Sequence, residues 1–267
     1  MFDLLIQSVP LAIVAATPLL LTVQGELIVQ RSGTINLGVE GMLLAAAFGA
    51  ASTSSIAGGV AGAAVVALIF GVLTIQVRAD QIVTGTAINL LVLGLTGFLY
   101  REWKMAAPPP FGFDFVTPLA WVVVPLLVAF FLWNTSAGLR LRASGENPEA
   151  LAAPRRYRWL ALACQALLVG FAGAHLALAL SNGFAENMSA GRGFIALAVV
   201  IFGRWTVGGA VLGTAVFGIA AALQYAMQAA NQGIAFHILL AMPYVVTLLI
   251  LCGVTGHVRA PEALGRR

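Results

Sequence analysis

Residues 81–100, QIVTGTAINLLVLGLTGFLY, run from Asp80 to Arg101 without one charged side chain. A bilayer's hydrocarbon core is about 30 Å thick and a helix rises about 1.5 Å per residue, so about 20 apolar residues cross it. In lipid every backbone N–H and C=O must be satisfied within a helix or a closed barrel, and a continuous apolar run of this length favours the helix. Working outward, comparable runs extend from Leu4 to Val23, Leu37 to Ala51, Gly58 to Val77, Thr117 to Trp133, Trp159 to Ser181, Ala190 to Gly203, Val207 to Gln228 and Phe236 to Val254. Together they predict about nine spans, within a range of eight to ten. The whole chain agrees. Of 267 residues 60% are hydrophobic and 9% charged, with a mean hydropathy of +0.96, whereas a soluble domain is about 45–50% apolar and about 25% charged. So few charges cannot cover a surface in water. The expected fold class is an all-α, polytopic transmembrane helix bundle whose main partner is the lipid bilayer.

The same composition excludes several chemistries. Lys104 is the single lysine, so no GKS/T phosphate loop exists and this chain does not hydrolyse nucleotides. Cys164 and Cys252 lie in apolar runs and read as small buried hydrophobes. His175 and His237 have no carboxylate or cysteine at ligand spacing, so no metal site is expected. No HExxH, GxSxG or carboxylate cluster is present, and no catalytic residue is assigned; the chain is not expected to be an enzyme. The net charge of +4 comes from arginines flanking apolar runs and reads as topology, not nucleic-acid binding.

Arg140, Arg142, Arg155, Arg156 and Arg158 place the connection 134–158 in the cytoplasm, and Arg259, Arg266 and Arg267 place the tail 255–267 there too. The Pro-rich segment 101–116 then lies outside, as does the N-terminus. The first run lacks a basic flank and is expected to be retained rather than cleaved as a signal peptide. Span lengths read long, short, long, long in residues 4–100 and again in 159–254, with a linking span at 117–133. One odd span between two such halves inverts the second, and an inverted repeat with short, Gly-flanked segments at matching positions points to a central pathway. The pairs Gly58/Gly62 and Gly209/Gly213 are suited to close helix packing.

Three constellations carry polar chemistry. Residues 24–41, QGELIVQRSGTINLGVEG, hold Glu26, Arg31 and Glu40 between two apolar runs, and a charge at the bilayer centre costs about 2.5–3.5 kcal/mol. This segment is either a cytoplasmic turn anchored by Arg31 or a short helix entering the pathway, with Asn36 and Glu40 on one helical face. Gln81 and Asn89 are further pathway candidates, although such side chains also bond across helices in any bundle. In the cytoplasmic connection, Gly145 is expected to break a helix, Asn147 to cap a new one, Pro148 to occupy its first turn and Glu149 its positive end. The third, 182–204, brackets an apolar run too short for an ordinary span, with Glu186, Asn187 and Arg192 on its outer side and Arg204 on its inner side, and reads either as a periplasmic loop with balanced charges or as a broken helix near the pathway.

The stretches GELIVQRSGTINLGVEGM, SGENPEA and NGFAENMSAGRGFIALAVVIFGRW resemble ABC importer permeases of the branched-chain amino acid, ribose and nucleoside superfamily, closest to the simple-sugar and nucleoside branch. The likeness runs from about Pro18 to Leu264. It implies a permease working by alternating access with a second permease copy or paralogue, two ATP-binding subunits that use ATP and Mg, and an extracytoplasmic substrate-binding protein. No cofactor is bound by the chain itself. By position, Gly145, Glu146, Asn147, Pro148, Glu149 and Ala150 would form the element that couples to the ATPase. Glu186, Asn187 and Arg192 would lie at the docking face for the binding protein or at the external gate, and Asn36, Glu40, Gln81 and Asn89 would line the translocation path. The chain departs from the family where Ala153 runs directly into Pro154, Arg155 and Arg156, which is expected to end the coupling helix early. The setting implied is a bacterial-type plasma (inner) membrane, and the solute a nucleoside or simple sugar. An ion-coupled secondary transporter is the alternative, but it would need ionisable residues deep in several spans.

Overall fold

The computed structural model describes residues 2–103, 116–229 and 260–265. These form α1 (Phe2–Arg31), α2 (Val39–Thr53), α3 (Ile56–Gln76, ending in a π turn), α4 (Gln81–Trp103), α5 (Val116–Asn134), α6 (Ser136–Glu146), α7 (Pro154–Leu180), α8 (Arg192–Phe202) and α9 (Val207–Ala229). The expected span from Phe236 to Val254, the prolines at 108–110, Lys104, His237, Cys252 and His257 lie outside the described residues. Among the described residues every regular element is helical, as the apolar runs require. Of the described residues, five segments are long and apolar enough to cross a bilayer: Ala12–Arg31, Ile56–Gln76, Gln81–Trp103, Val116–Asn134 and Pro154–Leu180. The outward faces of α3, α4 and α5 carry exposed Leu68, Leu90, Phe98, Leu126 and Phe130, the surface that lipid covers.

Short polar side chains begin α3, α4, α6 and α9. Ser55 accepts from the Gly58 N–H, Asp80 from Ile82 and Val83, Thr135 from Gly138 and Thr206 from Gly209, each satisfying a donor that the first turn would leave open. Small residues then bring the helices together. Gly58 and Gly62 lie against Gly49 and Ala45 of α2, and Gly209 and Gly213 against Gly203 and Val199 at the end of α8. The packing is matched: α3 lies on α7 as α9 lies on α1, and α2 crosses α7 as α8 crosses α1.

Three local expectations are corrected. The first helix does not stop at Val23. It continues to Arg31 because Glu26 and Gln30, four residues apart, satisfy each other and their neighbours inside the bundle. Asn36 consequently lies in the turn 32–38 and not on a helical face with Glu40; its carbonyl accepts from the Val39 N–H as α2 starts. In the connection 134–158, Gly145 does not break a helix but lies in the last turn of α6, Asn147 is its C-cap, and Pro148–Ala150 make one 3-10 turn with no side-chain cap. Pro154 starts α7, where its missing N–H costs nothing.

Candidate translocation site

The short helices α2 and α8 meet at their N-termini, and Glu40 is the junction. Its Oε1 accepts from the Ser189 hydroxyl (2.6 Å) and the Gly191 N–H (2.8 Å), and its Oε2 from the Gly193 N–H (2.7 Å). Glu40 is in the first turn of its own helix as well, so the positive ends of two helices converge on one carboxylate. Hydrogen bonds to a charged group are worth about 1.5–3 kcal/mol each, enough in sum to offset an insertion cost of about 2.5–3.5 kcal/mol. Gly193 makes the approach possible, since a Cβ there would stand 2.6 Å from the Glu40 N and Cα.

Helix α8 has 11 residues and is therefore about 16 Å long. Trp205, just past its C-terminus, meets Gln30 and Arg31 at the end of α1, so the length of α8 separates the Glu40 junction from Arg31. The turn 32–38 climbs to it as non-helical backbone, held on both sides by protein. From α4, Gln81 Oε1 accepts from the Ile35 N–H (2.7 Å), Asn89 Nδ2 donates to the Leu37 carbonyl (2.8 Å), and Asn89 Oδ1 accepts from the Gly41 N–H (2.8 Å).

A cavity of about 300 Å³ opens beside this junction, with walls from α2 (Glu40, Gly41, Leu44), α4 (Thr86, Asn89, Leu90, Leu93) and the start of α8 (Asn187, Ser189, Gly191, Phe194). Of the pathway candidates, Glu40 and Asn89 reach it. Asn36 and Gln81 do not. Asn36 belongs to a buried network below the cavity: its Nδ2 donates to Gln165 Oε1 (2.8 Å), Gln165 Nε2 to Glu26 Oε2 (2.5 Å), Gln30 Nε2 to Glu26 Oε1 (3.0 Å), and Trp205 Nε1 to Gln30 Oε1 (2.7 Å). Gln165 and Trp205 were not singled out by the sequence. A lone amide in the apolar run of α7 was the available signal.

At the loop before α8, Glu186 pairs bidentately with Arg101 at 2.8 and 2.9 Å. Hydrogen bonding to Arg101 holds the Glu186 carboxyl below its ordinary value of 4.5. Phe184 is clamped between Phe48 and Tyr100, with ring centroids 5.3 Å from each. Arg192 turns back onto the Met188 and Ser189 carbonyls. Asn187 and Ala190 are held at φ 56° and 48°, a left-handed conformation that costs an L-residue about 1–2 kcal/mol. The loop thus presents Ser189 and Gly191 to Glu40 at the expense of local strain.

At the opposite end of the bundle, Glu146, Asn147, Glu149 and Ala150 are exposed, and Pro148 is half-buried. The turn is braced from behind by Ser144 Oγ donating to the Ser32 carbonyl (2.9 Å), and by the tail, where the Ala263 N–H donates to the Gly145 carbonyl (2.8 Å). Among the described residues, no group of three His, Cys, Asp or Glu side chains could hold a metal ion.

Comparison with known proteins gives this architecture its place. Residues 8–255 match the family model described as the branched-chain amino acid transport system permease component. The chain is 31% identical to the nucleoside ABC transporter permease protein NupC of Lactococcus lactis subsp. cremoris, covering 95% of this chain and 93% of that one. It is also 31% identical to the guanosine ABC transporter permease protein NupQ of Bacillus subtilis, covering 96% and 94%. A Haloferax volcanii protein with a provisional glucose ABC transporter permease name, TsgC13, is 35% identical over 80% of this chain and 75% of its own length. No solved structure matches. A bundle of apolar helices with two short helices meeting end to end inside it, and a family match over nearly its whole length, make one conclusion: the chain belongs to the branched-chain amino acid transport system permease family, as the membrane-embedded permease subunit of an ABC importer.

Proposed function

We propose that this permease imports nucleosides through the cavity beside Glu40. The observation that carries the reading is the state of the polar groups there. The Glu40 carboxylate is occupied by three donors and both ends of the Asn89 amide are engaged, so few groups remain for the many hydroxyls of a sugar. Half-exposed Phe194 and the leucines of α4 offer instead an apolar wall for the flat face of a base. The names of NupC and NupQ, which span nearly the whole chain, support the same class; that of TsgC13 makes a simple sugar the second reading.

On this reading, residues 4–100 and 159–254 are inverted halves linked by α5, a view favoured by the matched packing of α3 on α7 and α9 on α1. The inner turn Gly145–Ala150 rests on an ATP-binding subunit, which uses ATP and Mg, and Glu186, Asn187 and Arg192 face an extracytoplasmic binding protein. A second permease, copy or paralogue, completes the path across a bacterial-type inner membrane, with the N-terminus outside and the tail in the cytoplasm. ATP-driven closure of the ATPases changes which side of the membrane the cavity faces.

The test is uptake by the complete transporter in proteoliposomes supplied with labelled guanosine, uridine or glucose. Saturable, ATP-dependent nucleoside uptake that unlabelled glucose does not compete is the expected result. Uptake of glucose alone would overturn the nucleoside reading in favour of the sugar one.

A further inference from the structure

We propose that α8 is the strut that carries movement from the ATPase-facing turn to the cavity, with Arg31 and Trp205 as its positioning residues. This rests on the reading of Gly145–Ala150 as the ATPase contact. Both ends of α8 are pinned, and to different things. At its C-terminal end Arg31 Nε donates to the Trp205 carbonyl (2.8 Å) and Trp205 Nε1 donates to Gln30. The Trp205 N–H returns to the Val200 carbonyl inside the helix (3.0 Å), so pulling on Trp205 pulls on α8 itself. Trp205 and Arg204 hold φ of 53° and 56°, a conformation kept in place by these bonds.

Arg31 also faces the turn. Its Nη1 lies 3.8 Å from Glu146 Oε1, and its guanidinium shares the face of Trp133 with Arg142, at 5.8 and 5.2 Å from the ring centroid. Behind the ion pair the backbones touch: a Cβ on Gly145 would collide with the Arg31 carbonyl and stand 2.9 Å from the Gly33 N. A displacement of the turn therefore cannot be absorbed before it reaches Arg31. At the other end of the strut, Gly191 and Gly193 are bonded to Glu40, which lines the cavity. The chain of contacts is short, rigid and polar at both junctions: turn, Arg31, Trp205, α8, Glu40.

The complete transporter in proteoliposomes, with ATP hydrolysis and nucleoside uptake measured together, tests this. Coupling free energies of about 1–3 kcal/mol correspond to about 5–150-fold effects. Arg31→Gln is expected to leave assembly and hydrolysis near wild type while uptake per ATP falls by about tenfold or more. Arg31→Lys, which keeps a charge and a donor, should recover much of the loss. Trp205→Phe, which loses Nε1 and keeps the carbonyl, should fall between. Gly193→Ala, pushing on Glu40 from the opposite end of α8, should uncouple in the same way. Wild-type uptake per ATP in Arg31→Gln would overturn the proposal, and so would loss of membrane insertion in both Arg31→Gln and Trp205→Phe, which would make the junction a structural brace. Glu149→Arg tests the underlying reading separately: it should release the ATP-binding subunit, and full assembly with normal uptake there would remove the turn as the ATPase contact.

Discussion

Glu26 and Glu40 are both buried carboxylates in an apolar bundle, yet they are stabilised by opposite means. Glu26 lies inside the long helix α1, where all backbone groups are already bonded, so its partners are the side-chain amides of Gln30 and Gln165 together with the Asn36 N–H. Glu40 lies where two helices begin, and its partners are the Gly191 and Gly193 N–H groups and one hydroxyl. The first arrangement ties α1, α7 and the turn 32–38 into one body. The second is built from helix ends, which can separate without breaking either helix, and it stands at the cavity wall. A carboxylate among side chains reads as a rivet, and a carboxylate among helix ends reads as a joint.

Substitutions can break that distinction. Glu40→Ala leaves three donors without a partner, each costing about 1–3 kcal/mol, and should abolish uptake while lowering thermal stability in detergent. Glu40→Gln keeps the shape but turns an amide N–H₂ toward donors; uptake is expected to fall by about tenfold or more, the equivalent of one lost charge-assisted bond. Glu26→Gln should do the reverse, lowering the unfolding midpoint by an amount equivalent to about 1–3 kcal/mol while uptake per folded transporter stays close to wild type. Equal losses of uptake in Glu26→Gln and Glu40→Gln would erase the difference between rivet and joint.

The smallest expected effect is at the outer loop. Because the Glu186 carboxyl is held below 4.5 by Arg101, the pair is fully formed above that value and is lost only as pH falls through the depressed one. If this loop is the proposed docking face, binding-protein affinity is expected to stay flat from neutral pH to about pH 5, a range in which an exposed pair is worth little in any case. Arg101→Ala should weaken docking only modestly. A steep fall in affinity near pH 6 would assign the loop a different charged partner.

The bilayer, the helical class and the short helices were legible in the sequence because each follows from run length and charge alone, as at 81–100. So was the place of Glu40 at a cavity wall, since a charge between two apolar runs must lie at an interface or line a cavity. The continuation of α1 to Arg31 was not legible. It depends on Gln165, more than a hundred residues away, accepting Glu26 into the interior. The inner turn was misread for a similar reason: Gly145 resembles a helix breaker locally, but close contact with the end of α1 is what requires a glycine there. The partners of the glycine pairs were equally hidden. The recurrence of FG followed by GG and a further Gly, at Phe48–Gly49, Gly58–Gly59 and Gly62, and again at Phe202–Gly203, Gly208–Gly209 and Gly213, is the signal that could have found them.

On the proposed function, the cavity beside Glu40 is the solute's path. A cysteine at Leu90 on its α4 wall, in a chain with Cys164 and Cys252 replaced by Ala, can be labelled by a small thiol reagent in the complete transporter. Saturating nucleoside with its binding protein should slow labelling, and trapping the ATPases with a non-hydrolysable ATP analogue should change the side of the membrane from which the reagent reaches it. A labelling rate and sidedness indifferent to both would rule out this cavity as the path.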